Sequence, residues 1–130
     1  LLHPTEDVVL AVSRQKDDAR SLCLLSLRDV DGVADSLSPD EYRRLRDYFL
    51  YAADCVEIFR CAQEAFLRYE IYEQSPARGK QEALAALLAT LGDLNDAAGI
   101  MRSKYGEDVS PGNPGCAAAL VREIMGRIER

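Results

Sequence analysis

Four cysteines, a single histidine and several close pairs of carboxylates are the residues of this chain whose types could do chemistry. His3 lies ahead of the first helical stretch. A di-iron site in a helical bundle takes a Glu-x-x-His from each of two helices, so one histidine before a helix cannot supply it. Histidine phosphotransfer also uses a four-helix bundle, but needs its histidine in mid-helix. Cys23, Cys55, Cys61 and Cys116 form no C-x-x-C pair, so a zinc site lacks the clustered ligands it needs. Each cysteine falls on or beside a predicted helix, three of them among apolar neighbours. The expectation is small buried thiols in a reduced, cytoplasmic setting, with a disulfide between helices left open. A serine or cysteine nucleophile wants a basic partner, and with no second histidine the usual arrangements fail. No glycine-rich phosphate loop is present. No metal, cofactor or catalytic residue is therefore expected.

The carboxylates pair as Asp17 with Asp18, Asp93 with Asp96, and Glu64 near Arg60 and Arg68. A glycosidase pair would have to converge across a cleft, whereas these spacings place the acids on solvated helix faces. Gln63, Glu70 and Asn95 differ because they fall on apolar stripes. Either they hydrogen-bond across the interior or the stripe has run off the core at that point; a structural role is the expectation.

The elements that must carry these residues are helices. The 130 residues suffice for one domain with a real core, and 48% of them are hydrophobic. Alanine and leucine dominate, β-branched residues are sparse and tryptophan is absent, which favours helix over strand. The net charge is −6, with cations and anions interspersed along every helix, and this argues against nucleic-acid binding. No apolar run is expected to approach the ~20 residues that span a bilayer, so a soluble chain with no membrane partner is anticipated. The chain opens on Leu1-Leu2-His3-Pro4 rather than Met, which reads as a piece of a longer protein.

The fold class predicted is all-α, an up-and-down antiparallel bundle of about four helices over residues 5–37, 39–74, 80–105 and 114–129. The first starts at Thr5, with Glu6 and Asp7 at the positive end of the dipole. Its core stripe is Val8, Val12, Ala19, Cys23, Val30, Val33 and Leu37. The second has the clearest start: Ser38 as N-cap, Pro39 at the first helical position and Glu41 completing a capping box. It runs ~54 Å at 1.5 Å per residue, to a turn at residues 75–79.

Three apolar lines run along that second helix. The first, Leu45, Phe49, Ala52, Val56, Phe59 and Phe66, is the expected buried stripe. Tyr48, Cys55, Ala62 and Tyr69 form a second line, and Tyr51, Ile58, Ala65 and Tyr72 a third. An ordinary surface helix has an apolar arc a little over ~100° wide, and this one is nearly double. The helix should be central or should touch something beyond the domain. The third helix buries Leu84, Leu87, Leu88, Leu91, Leu94, Ala98, Met101 and Tyr105, and stops at Gly106. Gly92 and Gly99 cost about 1 kcal/mol each in mid-helix, a cost explained most simply by close approach of a neighbouring backbone or ring. A Pro/Gly loop from Glu107 to Gly115 leads to the last helix, capped at Asn113 and Pro114, whose face is Ala117, Leu120, Val121, Ile124 and Ile128.

The stretch from Leu37 to Phe49 (LSPDEYRRLRDYF), continued from Phe59 to Tyr69 (FRCAQEAFLRY), resembles helical modules that follow the catalytic barrel in large bacterial glycoside hydrolases. Ser103 to Gly106, with the loop and short helix after it, fits the same pattern. The likeness covers residues 20–130 and is one of texture, without a diagnostic motif, so no catalytic residue carries over. It implies that the catalytic acids lie in another domain and that this one is structural or shapes the cleft.

The function expected is that of a non-catalytic helical domain packing against another domain of the same protein or against a homodimer partner. The alternative is a small-molecule-binding bundle, with Tyr48, Tyr51, Gln63, Tyr69 and Tyr72 lining a pocket beside Gly92 and Gly99.

Overall fold

In the computed structural model, residues 4–106 and 114–129 are described, and among them four α-helices and two short 3-10 turns make up all the regular structure. The helices are α1 (Glu6–Gly32), α2 (Pro39–Gln74), α3 (Lys80–Tyr105) and α4 (Pro114–Ile128). The architecture is an all-α bundle in up-and-down order, with the 36-residue α2 at its centre. His3, Asn113 and most of the loop before α4 lie outside the described residues.

Helix boundaries follow local chemistry. The Ser38 hydroxyl accepts from the backbone N–H of Glu41 at 3.2 Å, and Pro39 fills the first turn where its missing N–H costs nothing. Gly106 ends α3 at φ 90°, a conformation open to glycine, and its N–H donates to the Arg102 carbonyl. Thr5 caps α1 in extended conformation without a side-chain bond. The first helix also ends earlier than its apolar pattern suggests: it stops at Gly32, and residues Ala34–Ser36 form a tight 3-10 turn into α2.

The core is lopsided. Cys55, Ile58, Cys61 and Ala65 of α2 pack with Leu87, Leu91, Leu94, Ala98 and Met101 of α3 and with Ala117 and Ile124 of α4. Leu120, Val121, Met125 and Ile128 close over that cluster from α4. On the other flank of α2, α1 buries only Val9 and Val30, and α1 scarcely touches α3.

Two expectations about the core are corrected. The stripe assigned to the interior of α2 is not its interior: Leu45, Phe59 and Phe66 are exposed, and Phe49, Ala52 and Val56 are half-buried. The buried positions are instead Cys55, Ile58 and Ala65 from the second and third lines, together with Ala53, Cys61 and Glu64, which lie on none of the three; Cys55, Ile58, Cys61 and Ala65 pack with α3. Val8 of α1, Val33 just after it and Leu88 of α3 are likewise exposed. Nor are the mid-helix glycines explained by close packing: an added Cβ at Gly92 or Gly99 meets nothing within 4 Å.

A third correction concerns apolarity. The 29 residues Ala77–Tyr105, the span of α3 with its preceding turn, do reach the length and composition of a membrane-crossing helix. The buried face of this helix is committed to α2 and α4, and the core helix of a globular domain passes the same test of length and hydropathy.

Candidate functional site

Two features of the surface are built from more than one helix. The first is polar, and it lies where α1 and α3 diverge from α2. Arg20 of α1, Asp54 and Glu57 of α2, and Ala97, Ile100, Met101 and Lys104 of α3 line a groove of about 370 Å³. Arg60, Asp93 and Asp96 extend it. Asp54 is engaged twice, accepting from the Tyr105 hydroxyl at 2.8 Å and from Lys104 at 3.1 Å.

Beneath the groove a charged network joins α1 to α2. Positions 57, 60 and 64 share one helix face by their spacing of three and four, and Arg60 bridges both carboxylates there. Its Nε donates to Glu57 at 3.1 Å and its Nη1 to Glu64 at 2.9 Å. The Ser13 hydroxyl of α1 also donates to Glu64. Glu64 is buried, which corrects its assignment to a solvated face; no buried side-chain polar atom among the described residues lacks a partner. Sequence periodicity could have found this cluster only through the i, i+3, i+4 spacing of Glu57, Arg60 and Glu64, since its partner Ser13 comes from another helix. Asp17, Asp18, Asp93 and Asp96 are exposed, the position their spacing suggests.

The electrostatics of the network fix charges rather than poise them. The hydrogen bond from Arg60 holds the Glu57 carboxyl below its ordinary range, against some burial and helped by Arg20. The same bond to Glu57 raises Arg60 further above an already high value. Burial pushes the Cys61 thiol up to about 11, the reverse of what an activated nucleophile needs. Burial, and then its bond to Asp54, raise the Tyr105 phenol. A general acid or base works best near the ambient pH, and all four shifts lead away from neutrality. Among the described residues no three His, Cys, Asp or Glu converge as metal ligands. Cys55 and Cys61 are buried free thiols and Cys23 is half-buried.

The second feature is apolar, on the side of α2 turned away from the α3 core and bordering α1. Leu45, Ala52, Phe59 and Phe66 recur every seven residues, so successive members drift by only ~20° around the helix. Leu45 and Phe59 are each 40% exposed, Phe66 is 52% and the adjacent Tyr48 is 64%. The face continues onto α1, where Val12 and Gln15 meet Gln63, Phe66 and Leu67 across a groove of about 310 Å³. Val8 and Leu22 of α1 add exposed apolar surface. Single exposed apolar side chains need no explanation, but a contiguous set along two helices does.

The residues singled out as a ligand pocket are spread over several surroundings. Tyr51 packs edge-on against Tyr105 at 5.0 Å between centroids. Tyr69 and Tyr72 pack against the core, with Arg127 over the first ring at 5.8 Å and Lys80 over the second at 4.8 Å. Tyr48 stands on the outer face edge-on to Phe49, and Gln63 lines the outer groove. Gly92 is exposed, and Gly99 borders a separate shallow depression with Asn95, Asp96, Ile100, Ser103 and Lys104. Of the seven, only Tyr48 and Gln63 share the apolar face.

Comparisons with protein-family models, with curated proteins and with solved structures find no match for this chain.

Proposed function

We propose that this is a non-catalytic, protein-interacting helical domain whose outer α1–α2 face docks against another protein surface, either a further domain of the same protein or a second copy. The observation that carries the reading is the row Leu45, Phe59 and Phe66 with Tyr48, exposed on the longest helix while Cys55, Ile58, Cys61 and Ala65 of the same helix are packed in the core. Exposed apolar area costs free energy in water, about 25 cal/mol per Å². A partner surface recovers that cost on docking. The polar contacts between the two helices support the same reading, because Ser13 to Glu64, Glu6 to Arg68 and Asp31 to Arg46 tie α1 to α2 and hold the two halves of the face in register. An accessory domain of a glycoside hydrolase is one setting in which such a face would be used.

The double variant Phe59→Glu/Phe66→Glu tests it. Both side chains are exposed, so helicity and the urea midpoint should stay close to wild type. Wild-type protein should either bind an apolar fluorescent dye or self-associate, and the variant should lose whichever behaviour is present. A wild-type protein that is monomeric and binds no dye overturns the proposal.

A further inference from the structure

We infer that the outer α1–α2 face receives a basic amphipathic helix of a partner protein, its apolar stripe flanked by lysine and arginine. This rests on the docking reading above and adds the backbone form and the charge of the partner.

The walls of the face select a helix. The groove between Val12 and Phe66 runs into a depression along α1, lined by Asp7, Val8 and Ala11, that shares Val12 and Gln15 with it. Inside a helix the backbone N–H and C=O groups are already paired, so neither wall offers an edge that a strand could extend. An occupant lying dry on this face must therefore satisfy its own backbone, as a helix does. From Leu45 to Phe66 the apolar row runs ~32 Å at 1.5 Å per residue, room for about six turns of a partner helix. Apolar residues spaced by three and four on that helix would follow the row.

The rim selects the charge. At about 100° per residue, Glu41, Glu70 and Glu73 fall within about 40° of Phe59 around α2. Glu41 and Glu73 are exposed and Glu70 is half-buried. Arg44, about 60° round from Phe59, is the one cation on that half of α2. Arg43, Arg46, Arg60 and Arg68 lie outside it and are engaged by carboxylates. On α1, Asp7, Asp18 and Asp29 are exposed and recur after just over three turns each, forming one edge that begins at the depression. The α1 cations point elsewhere: Arg20 lines the polar groove, Lys16 is half-buried on the α2 side, and Arg14 and Arg28 lie about 160° from the buried Val30. Beyond α2, Arg127 of α4 is held by Glu123 at 3.0 Å. The rim is therefore acidic, and a helix with cations beside its apolar stripe is its complement. A second copy of this chain would set the rim against its own charge.

Fluorescence anisotropy with two labelled helical peptides of about 20 residues tests this. One is built of leucine and lysine in an amphipathic pattern, and the other has glutamate for lysine. The lysine peptide should bind the wild-type chain at least tenfold more tightly than the glutamate peptide. Glu70→Gln/Glu73→Gln should weaken it about fivefold, whereas the same loss of charge beside the polar groove, Asp93→Asn/Asp96→Asn, should change it less than about twofold. Phe59→Glu/Phe66→Glu removes apolar contact while adding negative charge and should abolish binding, with circular dichroism and the urea midpoint confirming a folded chain. Lysine-peptide binding that survives in that variant is general attraction to an acidic protein and overturns the inference. An affinity indifferent to Glu70→Gln/Glu73→Gln, or a glutamate peptide that binds as tightly, overturns the assigned charge and leaves the docking reading standing. The same holds for a chain that binds an apolar dye but not the lysine peptide, and for a wild-type dimer, seen by sedimentation equilibrium, that Phe59→Glu/Phe66→Glu dissociates. Binding to phosphatidylcholine vesicles that this variant abolishes, or a monomer that takes up neither peptide nor dye, overturns both.

Discussion

At the residue scale the chemistry of this chain is concentrated in Arg60 and its two carboxylates. Glu64 is buried and bonded from two sides, by Arg60 and by Ser13 of α1. Removing it leaves Ser13 without its acceptor and Arg60 with Glu57 alone, in a setting where an uncompensated charge is costly. Glu64→Ala is therefore expected to lower stability by about 2 kcal/mol in urea titrations, the order expected when a buried hydrogen-bonded charge loses its partner. No change in midpoint would mean that water replaces the carboxylate. Glu57 gives a pH dependence with a definite sign. Its folded pKa lies below the ordinary 4.5 because of the Arg60 bond, so its contribution is present above that value and is lost as the pH falls through the lower, folded one. Below about pH 4.5 the urea midpoint should fall less steeply for Glu57→Gln than for wild type; parallel curves would contradict the assigned bond. The sequence makes the 57–60–64 spacing visible, but burial of Glu64 depends on Ser13, 51 positions away in the chain.

At the scale of elements, the strong local signals correspond to real boundaries and the long periodic ones mislead. Ser38-Pro39 opens α2 and Gly106 closes α3 because capping is decided within four or five residues. Which of three apolar lines on α2 is buried is decided by where α1 and α3 sit, and no local pattern carries that. The line Leu45–Phe49–Ala52–Val56–Phe59–Phe66 holds all three phenylalanines of the chain, so by hydrophobicity alone it is the natural choice for the core. The smaller residues Ala53, Cys55, Cys61 and Ala65 are buried instead, and small side chains allow helices to approach closely. The glycines of α3 illustrate the same dependence from the other direction. A glycine inside a helix suggests a close neighbour, yet Gly92 faces open space. Gly92→Ala should accordingly raise stability by about 0.5–1 kcal/mol through helix propensity and lost unfolded-state freedom. A destabilised Gly92→Ala, by thermal or urea melting, would show a crowded site.

At the scale of the whole molecule, packing is uneven in a way that bears on function. The α2–α3–α4 side holds the contiguous core, with Leu87 and Leu94 fully excluded from solvent. The α1 side is held by polar bridges at intervals: Glu6 to Arg68, Ser13 to Glu64, and Asp31 to Tyr42 and Arg46. Between these two sides α2 turns its third direction, and its largest apolar side chains, toward solvent. The breadth of apolar surface on α2 was legible in the sequence as three lines where one is usual. Its meaning was not, because a central helix and a docking helix have the same composition until the neighbouring helices are placed. The central claim is that this exposed line is an interaction surface, and a dilution series monitored by apolar-dye fluorescence tests it most directly. With self-pairing through the face, fluorescence per chain should rise on dilution as dimers separate, while Phe59→Glu/Phe66→Glu stays low throughout. Wild type and variant giving the same signal at every concentration would contradict it.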